Sequence, residues 1–220
     1  MKRLLRHPIY VLFLLGLLVS TIAKADTWDN PKVKTYYSEN NEFKLIVTPR
    51  KTSDKYYLWD YYKSNNYPQT KKVLRKKEKF MRSISTQDTV LIPCTGELYR
   101  IKGTDSVLIW KRTLLNDVCP VNAIVADDGS SIVTIDNWYS KGYGVNVFVV
   151  YDENGNAKRT YKLEEISPFS LNDYLMSISS IIWYEKLEYI ENNRIELVFE
   201  TMDKRKKTMI YNMEKLEFEK

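Results

Sequence analysis

The chain has 220 residues, with 34 basic and 28 acidic side chains, two cysteines and one histidine. That histidine, His7, lies in a leader-like N-terminus, and the remaining chain has none. Ser-His-Asp and Cys-His catalysis, histidine-ligated zinc and histidine pH switching are therefore excluded, leaving carboxylate, lysine or tyrosine chemistry, oxygen-ligated cations, or no chemistry.

Residues 1–25 read as a secretory signal peptide. Lys2, Arg3 and Arg6 precede an apolar run from Ile9 to Ile22, and Ala23-Lys24-Ala25 supplies a small-x-small cleavage site before Asp26. The apolar run is shorter than the roughly 20 residues of a spanning helix, and no lipobox cysteine follows it. The expected location is periplasmic or extracellular, with membrane contact only through the signal peptide before cleavage. Cleavage removes four basic groups (Lys2, Arg3, Arg6, Lys24) and no acidic one, so 30 basic face 28 acidic, a net +2. No global field remains to attract nucleic acid.

Residues 26–41 are polar and Asn-rich and read as a poorly ordered lead-in to a single β-domain over 42–220. Glu42–Pro49, "EFKLIVTP", alternates as a strand. Residues 50–90 interrupt the pattern as a charged, Tyr-rich insertion. Its first half holds Tyr56, Tyr57, Trp59, Tyr61 and Tyr62. Its second, "KKVLRKKEKFMR", fits either a short helix or a charged hairpin. Such a cluster suits an anionic glycan, anionic lipid or protein partner, or simply a solvated loop.

From Thr89 the β-pattern resumes. "TVLIPCTGELYRI" and "SVLIWKRTLL" flank a hairpin turn at 102–105. The segment 119–163 is the best patterned. Strands at 122–126 and 132–135 join through Asp127-Asp128-Gly129. Strands at 145–151 and 157–163 join through Glu153-Asn154-Gly155, where Asn-Gly favours a type I′ turn. Between the pairs runs the loop "DNWYSKGYG". Ser170 with Asp173 suggests a capping box and a short helical segment near 170–178. Strands return at "SIIWYEKLEYI", 194–201 and 208–213. No βαβ rhythm appears, so the fold class is all-β, an antiparallel meander.

The segment "VNAIVADDGSSIVTID…VNVFVVYDENGNAKRTYKL" resembles one four-strand blade of a β-propeller. "TGELYRIKGTDSVLIWKRTL" resembles the outer pair of the preceding blade, with "LIVTP" as an inner strand of that blade. "WKRTLLNDVCPVNA", "DNW" and "GYG" are similar to uncharacterised exported bacterial proteins with β-propeller-like repeats, over about residues 40–183. The resemblance implies a partial or open propeller-like meander, since two blade-like units and a divergent tail do not close a ring. It carries no activity.

The candidate binding residues are Asp136, Asn137, Trp138 and Tyr143, which concentrate polar and aromatic groups in one loop. The competing reading has Asp136 and Asn137 bonding loop amides while Trp138 packs on the blade. No catalytic residue, metal site or cofactor is expected. The run Asp152-Glu153-Asn154-Gly155-Asn156 reads as a turn rather than a calcium loop, because Leu163 stands where the bidentate Glu would be. Cys94 and Cys119 are a disulfide candidate in an exported chain, with two buried thiols as the alternative. The function expected is non-enzymatic surface recognition, with an envelope protein, a glycan or a homodimeric copy as partner. A carboxylate-dependent hydrolase of envelope polysaccharide, for instance through Asp136 with Asp127, is the alternative.

Overall fold

The structure, a computed structural model, describes residues 28–219, so the signal-peptide expectation lies outside the described residues. The lead-in segment is corrected at its C-terminal end. Lys34–Tyr37 forms strand β1, antiparallel to β2 (Phe43–Thr48), with Lys34 opposite Val47. The Ser38 hydroxyl accepts from the Phe43 amide at 3.0 Å, and Asn41 takes a left-handed φ of 59°. Polar composition did not prevent a strand, because an edge strand needs only a neighbour with unpaired backbone groups.

In β2, Phe43, Leu45 and Val47 are buried and the alternate residues are not, as the sequence predicts. β2 pairs with β5 (Thr95–Lys102), and β5 with β6 (Asp105–Thr113), giving the order β1-β2-β5-β6. The insertion between β2 and β5 closes at its neck, where β3 (Lys51–Thr52) pairs with β4 (Leu91–Ile92). Above the neck stand two helices, α1 (Tyr56–Ser64) and α2 (Lys71–Ser83). Thr70 caps α2 by accepting from the Val73 amide, which settles the helix-or-hairpin alternative as a helix. Tyr62 of α1 meets Phe80 of α2 at 5.5 Å between ring centroids.

The second sheet is β7 (Asn122–Val125), β8 (Ser131–Ile135), β9 (Phe148–Asp152) and β10 (Ala157–Tyr161), joined in chain order. Every residue of β8 is buried. Ile132, Val149 and Tyr151 pack toward the first sheet, against Leu45, Leu98 and Trp110. Val133, Ile135, Phe148 and Val150 pack the other way, against Ile195, Leu197, Phe199 and Tyr211. Coverage on both faces is why these strands read as nearly continuous apolar runs.

The Asn154-Gly155 turn is not type I′. Only Gly155 has positive φ there, and the ladder shifts register between Ala157 and Arg159. A turn of ordinary hand followed by a left-handed glycine and a bulge does the same work. Lys162–Ile166 also departs from expectation. Leu163–Ile166 is a short helix, α3, because the Lys162 amide donates to the Glu165 carboxylate at 2.7 Å, and Leu163 and Ile166 turn into the core. Near 170–178 the helical expectation shrinks to a 3-10 turn at Leu171–Asp173, without a side-chain cap. The Asp173 carboxylate instead faces Arg205 at 3.3 Å. Beyond it β11 (Leu175–Met176) pairs with β12 (Ile181–Ile182).

The tail is less divergent than its sequence suggests. β13 (Tyr184–Ile190), β14 (Arg194–Glu200), β15 (Lys206–Asn212) and β16 (Glu217–Phe218) form a third four-stranded antiparallel sheet, again in chain order. Strand makes up 41% of the chain and helix 17%, so the fold is mostly β. The first strands of the three sheets are neighbours, with β7 touching β1 on one side and β13 on the other.

Candidate functional site

The expected loop after β8 faces inward. Asp136 holds a φ of 60° and is fully buried. Its carboxylate accepts from the Gly142 amide at 2.7 Å and from Trp183 Nε1 at 3.1 Å. Burial pushes this carboxyl up to about 7, against the opposing pull of the Gly142 amide, the Lys141 ammonium and the Trp183 indole. Lys141 is itself lowered by burial, with Asp136 acting in the other direction, and its ammonium sits 4.3 Å from the Tyr184 ring centroid. The Asp136 carbonyl accepts from Asn116, whose side-chain oxygen accepts from Thr134. One residue thus ties the second sheet to the third, and both to the linker that leaves the first.

The other three candidates behave alike. Asn137 accepts from the Val118 amide at 3.0 Å and donates to Ser140. Trp138 packs against the core shared by the first two sheets, with Lys34 Nζ 5.0 Å from its ring centroid. Tyr143 packs on the second core and donates to the Ser177 carbonyl at 2.8 Å. The structure draws Asp136 together with Trp183, a residue the sequence reading left inside a strand, and leaves the four candidates turned into protein. Trp183 interrupts the expected strand between β12 and β13, and only its distant partner explains why.

Cys94 and Cys119 are free thiols buried in the core between the first two sheets. Burial raises Cys94 to about 12 and Cys119 to about 11. The Asp152 carboxylate is engaged by the Asn154 and Asn156 amides, at 3.0 and 2.8 Å, so the run serves its own turn. Asp127 and Asp136 stand at opposite ends of β8. Five residues at about 3.3 Å each put them roughly 16 Å apart along the strand, beyond the roughly 5–9.5 Å that paired glycosidase carboxylates need.

A concave surface lies elsewhere, along the first strands. A cleft of about 290 Å³ is lined by Tyr37 at the end of β1 and Glu39 beyond it, Ala123, Ile124 and Val125 of β7, and Glu188 and Tyr189 of β13. It forms where the edge strand β7 lies beside both β1 and β13. Three turns hold that arrangement at one end. The Asn40 amide donates to the Asp127 carboxylate at 2.9 Å, and Asn193 donates to the Asp128 carboxylate at 3.0 Å. The Asp-Asp-Gly turn is therefore a clamp between the first hairpins of the three sheets. Beside it the Tyr189 hydroxyl donates to Asn193 at 3.0 Å. Glu188 is paired with Lys186 at 2.8 Å, while Tyr37 is exposed. The cleft presents tyrosine rings, carboxylates and aliphatic side chains, and none of the described residues lining it is basic.

Comparison with family models, curated proteins and solved structures finds no match.

Proposed function

We propose that the protein is an exported recognition module without catalytic activity, built as an open propeller-like arc of three blades, whose binding surface is the cleft along β1, β7 and β13. The observation that carries this reading is that three separate sheets contribute side chains to one concave surface. Binding groups commonly gather where a rigid scaffold converges. The cleft's volume lies at the lower edge of the roughly 300–1,000 Å³ of small-molecule pockets. It suits one ring-sized group of a larger partner. Tyr37 and Tyr189 offer flat amphipathic faces, and Glu39 and Glu188 offer hydrogen-bond acceptors, a combination that fits the pyranose ring and hydroxyls of an envelope glycan.

The outer faces of the arc support a self-sufficient chain over a dimer completing a ring. On the first sheet Lys111 pairs with Glu97 at 2.6 Å, and on the third Lys186 pairs with Glu196 at 2.6 Å. Such pairs are satisfied facing water, while the edge strand β6 of the first sheet exposes Val107, Leu108 and Ile109. The test is binding of the purified chain to an array of bacterial envelope glycans, with Tyr37→Ala and Glu188→Gln beside it. Binding lost in both variants supports the reading. Absence of any bound glycan, or binding that both variants retain, overturns it.

A further inference from the structure

The helical insertion is set apart from the rest of the chain by its charge. Helix α2, "KKVLRKKEKFMRS", holds seven basic residues and one acidic, a net +6 over thirteen positions. Residues 26–220 together total +2, so everything outside α2 sums to −4. Lys77 donates to Asn65, and Arg82 pairs with Glu78. The side chains of Lys71, Lys72, Arg75, Lys76 and Lys79 make no ion pair or hydrogen bond among the described residues. Five cations without an ion-pair partner among the described residues repel each other on one short helix.

Apolar side chains stand exposed in the same insertion. No residue of α2 is buried. Leu74 and Met81, seven positions apart and so on one side of the helix, are both exposed. Val73 and Phe80, one position before each, are half-covered. On α1 the exposed residues include Tyr57, Leu58 and Tyr61. The insertion is nevertheless held in place. Arg50 pairs with Asp117 and donates to the Tyr57 hydroxyl at 2.7 Å, and Lys55 pairs with Asp88 at 3.3 Å.

We propose that this two-helix insertion is a docking element for an anionic phospholipid surface. A polyphosphate or a nucleic-acid backbone would use the cations but leave the aliphatic Leu58, Leu74 and Met81 in water. A bilayer uses both features, the cations against lipid phosphates and the Leu, Met and Tyr side chains at the headgroup–acyl boundary. Each basic residue near such a surface contributes measurably, and the contributions fall with salt. The surface is separate from the cleft, so the two sites are free to act together, holding the cleft at a membrane.

The test is co-sedimentation of residues 26–220 with phosphatidylglycerol-containing vesicles and with pure phosphatidylcholine vesicles, at low and high salt. Every strand described lies within that segment. The expected result is binding to the anionic vesicles only, weakened by salt. Replacing Lys72, Arg75, Lys76 and Lys79 by Gln should weaken it by about tenfold or more. Leu74→Ser with Met81→Ser should weaken it at unchanged charge. Circular dichroism checks that each variant keeps its fold, and Tyr37→Ala should bind vesicles like the parent. A folded parent that ignores anionic vesicles overturns the proposal. So does equal binding to both vesicle types, retention by the glutamine variant, or capture by soluble polyphosphate without vesicle binding.

Discussion

Gly129 and Gly103 form a matched pair for testing whether the turns lock the sheets together. Both sit in hairpin turns with positive φ, +70° and +61°. A Cβ at Gly103 would meet nothing within 4 Å, whereas one at Gly129 would collide with the Phe43 ring, on the neighbouring sheet. Gly103→Ala therefore reports the backbone cost alone, about 1–2 kcal/mol for an L-residue in the left-handed region. Gly129→Ala adds overpacking against a buried ring, about 1–3 kcal/mol more. For a domain of this size about 1 kcal/mol shifts Tm by about 2–4 °C. Gly129→Ala should accordingly melt about 2–12 °C below Gly103→Ala. Thermal unfolding followed by circular dichroism gives both values. Repeating the pair in a Phe43→Val background, where the ring is gone, should shrink the gap. Equal melting of the two alanine variants, or a gap that persists without the Phe43 ring, would refute the argument that this turn is packed between sheets.

Asp136 should make stability depend on pH in an unusual direction. Its carboxyl is raised in the fold to about 7, so between its unfolded value near 4 and about 7 the unfolded chain releases a proton that the native state keeps. Its contribution is full below about pH 4 and is lost as pH rises to about 7; Asp136→Asn should flatten that part of the Tm-versus-pH curve, and an unchanged slope would count against the burial argument. Trp183→Phe should destabilise by about 1–3 kcal/mol in chemical denaturation, because the carboxylate loses a buried donor, and a neutral result would show that the indole bond is dispensable. Deleting residues 66–84 should leave the β-sheet signal and most of the stability intact, and in the parent trypsin should cut within Lys71–Arg82 first; global unfolding on deletion would make α2 part of the core. Cys94 and Cys119 should resist iodoacetamide in the native chain and take two adducts once unfolded without reductant; no adduct after unfolding would establish a bridge.

What the sequence disclosed followed from how many neighbours each strand has. β2 and β7–β9 carry alternation or continuous apolar runs because one or both faces are packed, and the turns after β7 and β9 carry Asp-Gly or Asn-Gly. β1 was missed because an edge strand of Lys34, Thr35, Tyr36 and Tyr37 has little apolar alternation to show. The helix α1 was hidden by its aromatic residues, which have middling helix propensity and serve strands equally well. In the candidate loop, residue types were read correctly as unusual but their direction was not legible. Asp136 meets Trp183 across 47 positions, and no local pattern announces such a bond. The cleft was equally invisible, since Tyr37, Ile124 and Tyr189 come from three sheets and share no motif.

The placement of the insertion has an evolutionary consequence. Thr48 and Thr95 stand opposite each other in adjacent strands, although residues 49–94 lie between them. The ends of that segment are pinned by the sheet whatever fills it, and each doubling of its length adds only about 0.6 kcal/mol of closure entropy. Beyond the β3–β4 neck, sequence drift is decoupled from the core that β2, β5 and Cys94 help to build. A lineage could exchange this helical pair for another module, or dispense with it, while the three-sheet body stayed under its own selection. This is the position in the chain where related proteins should differ most in length.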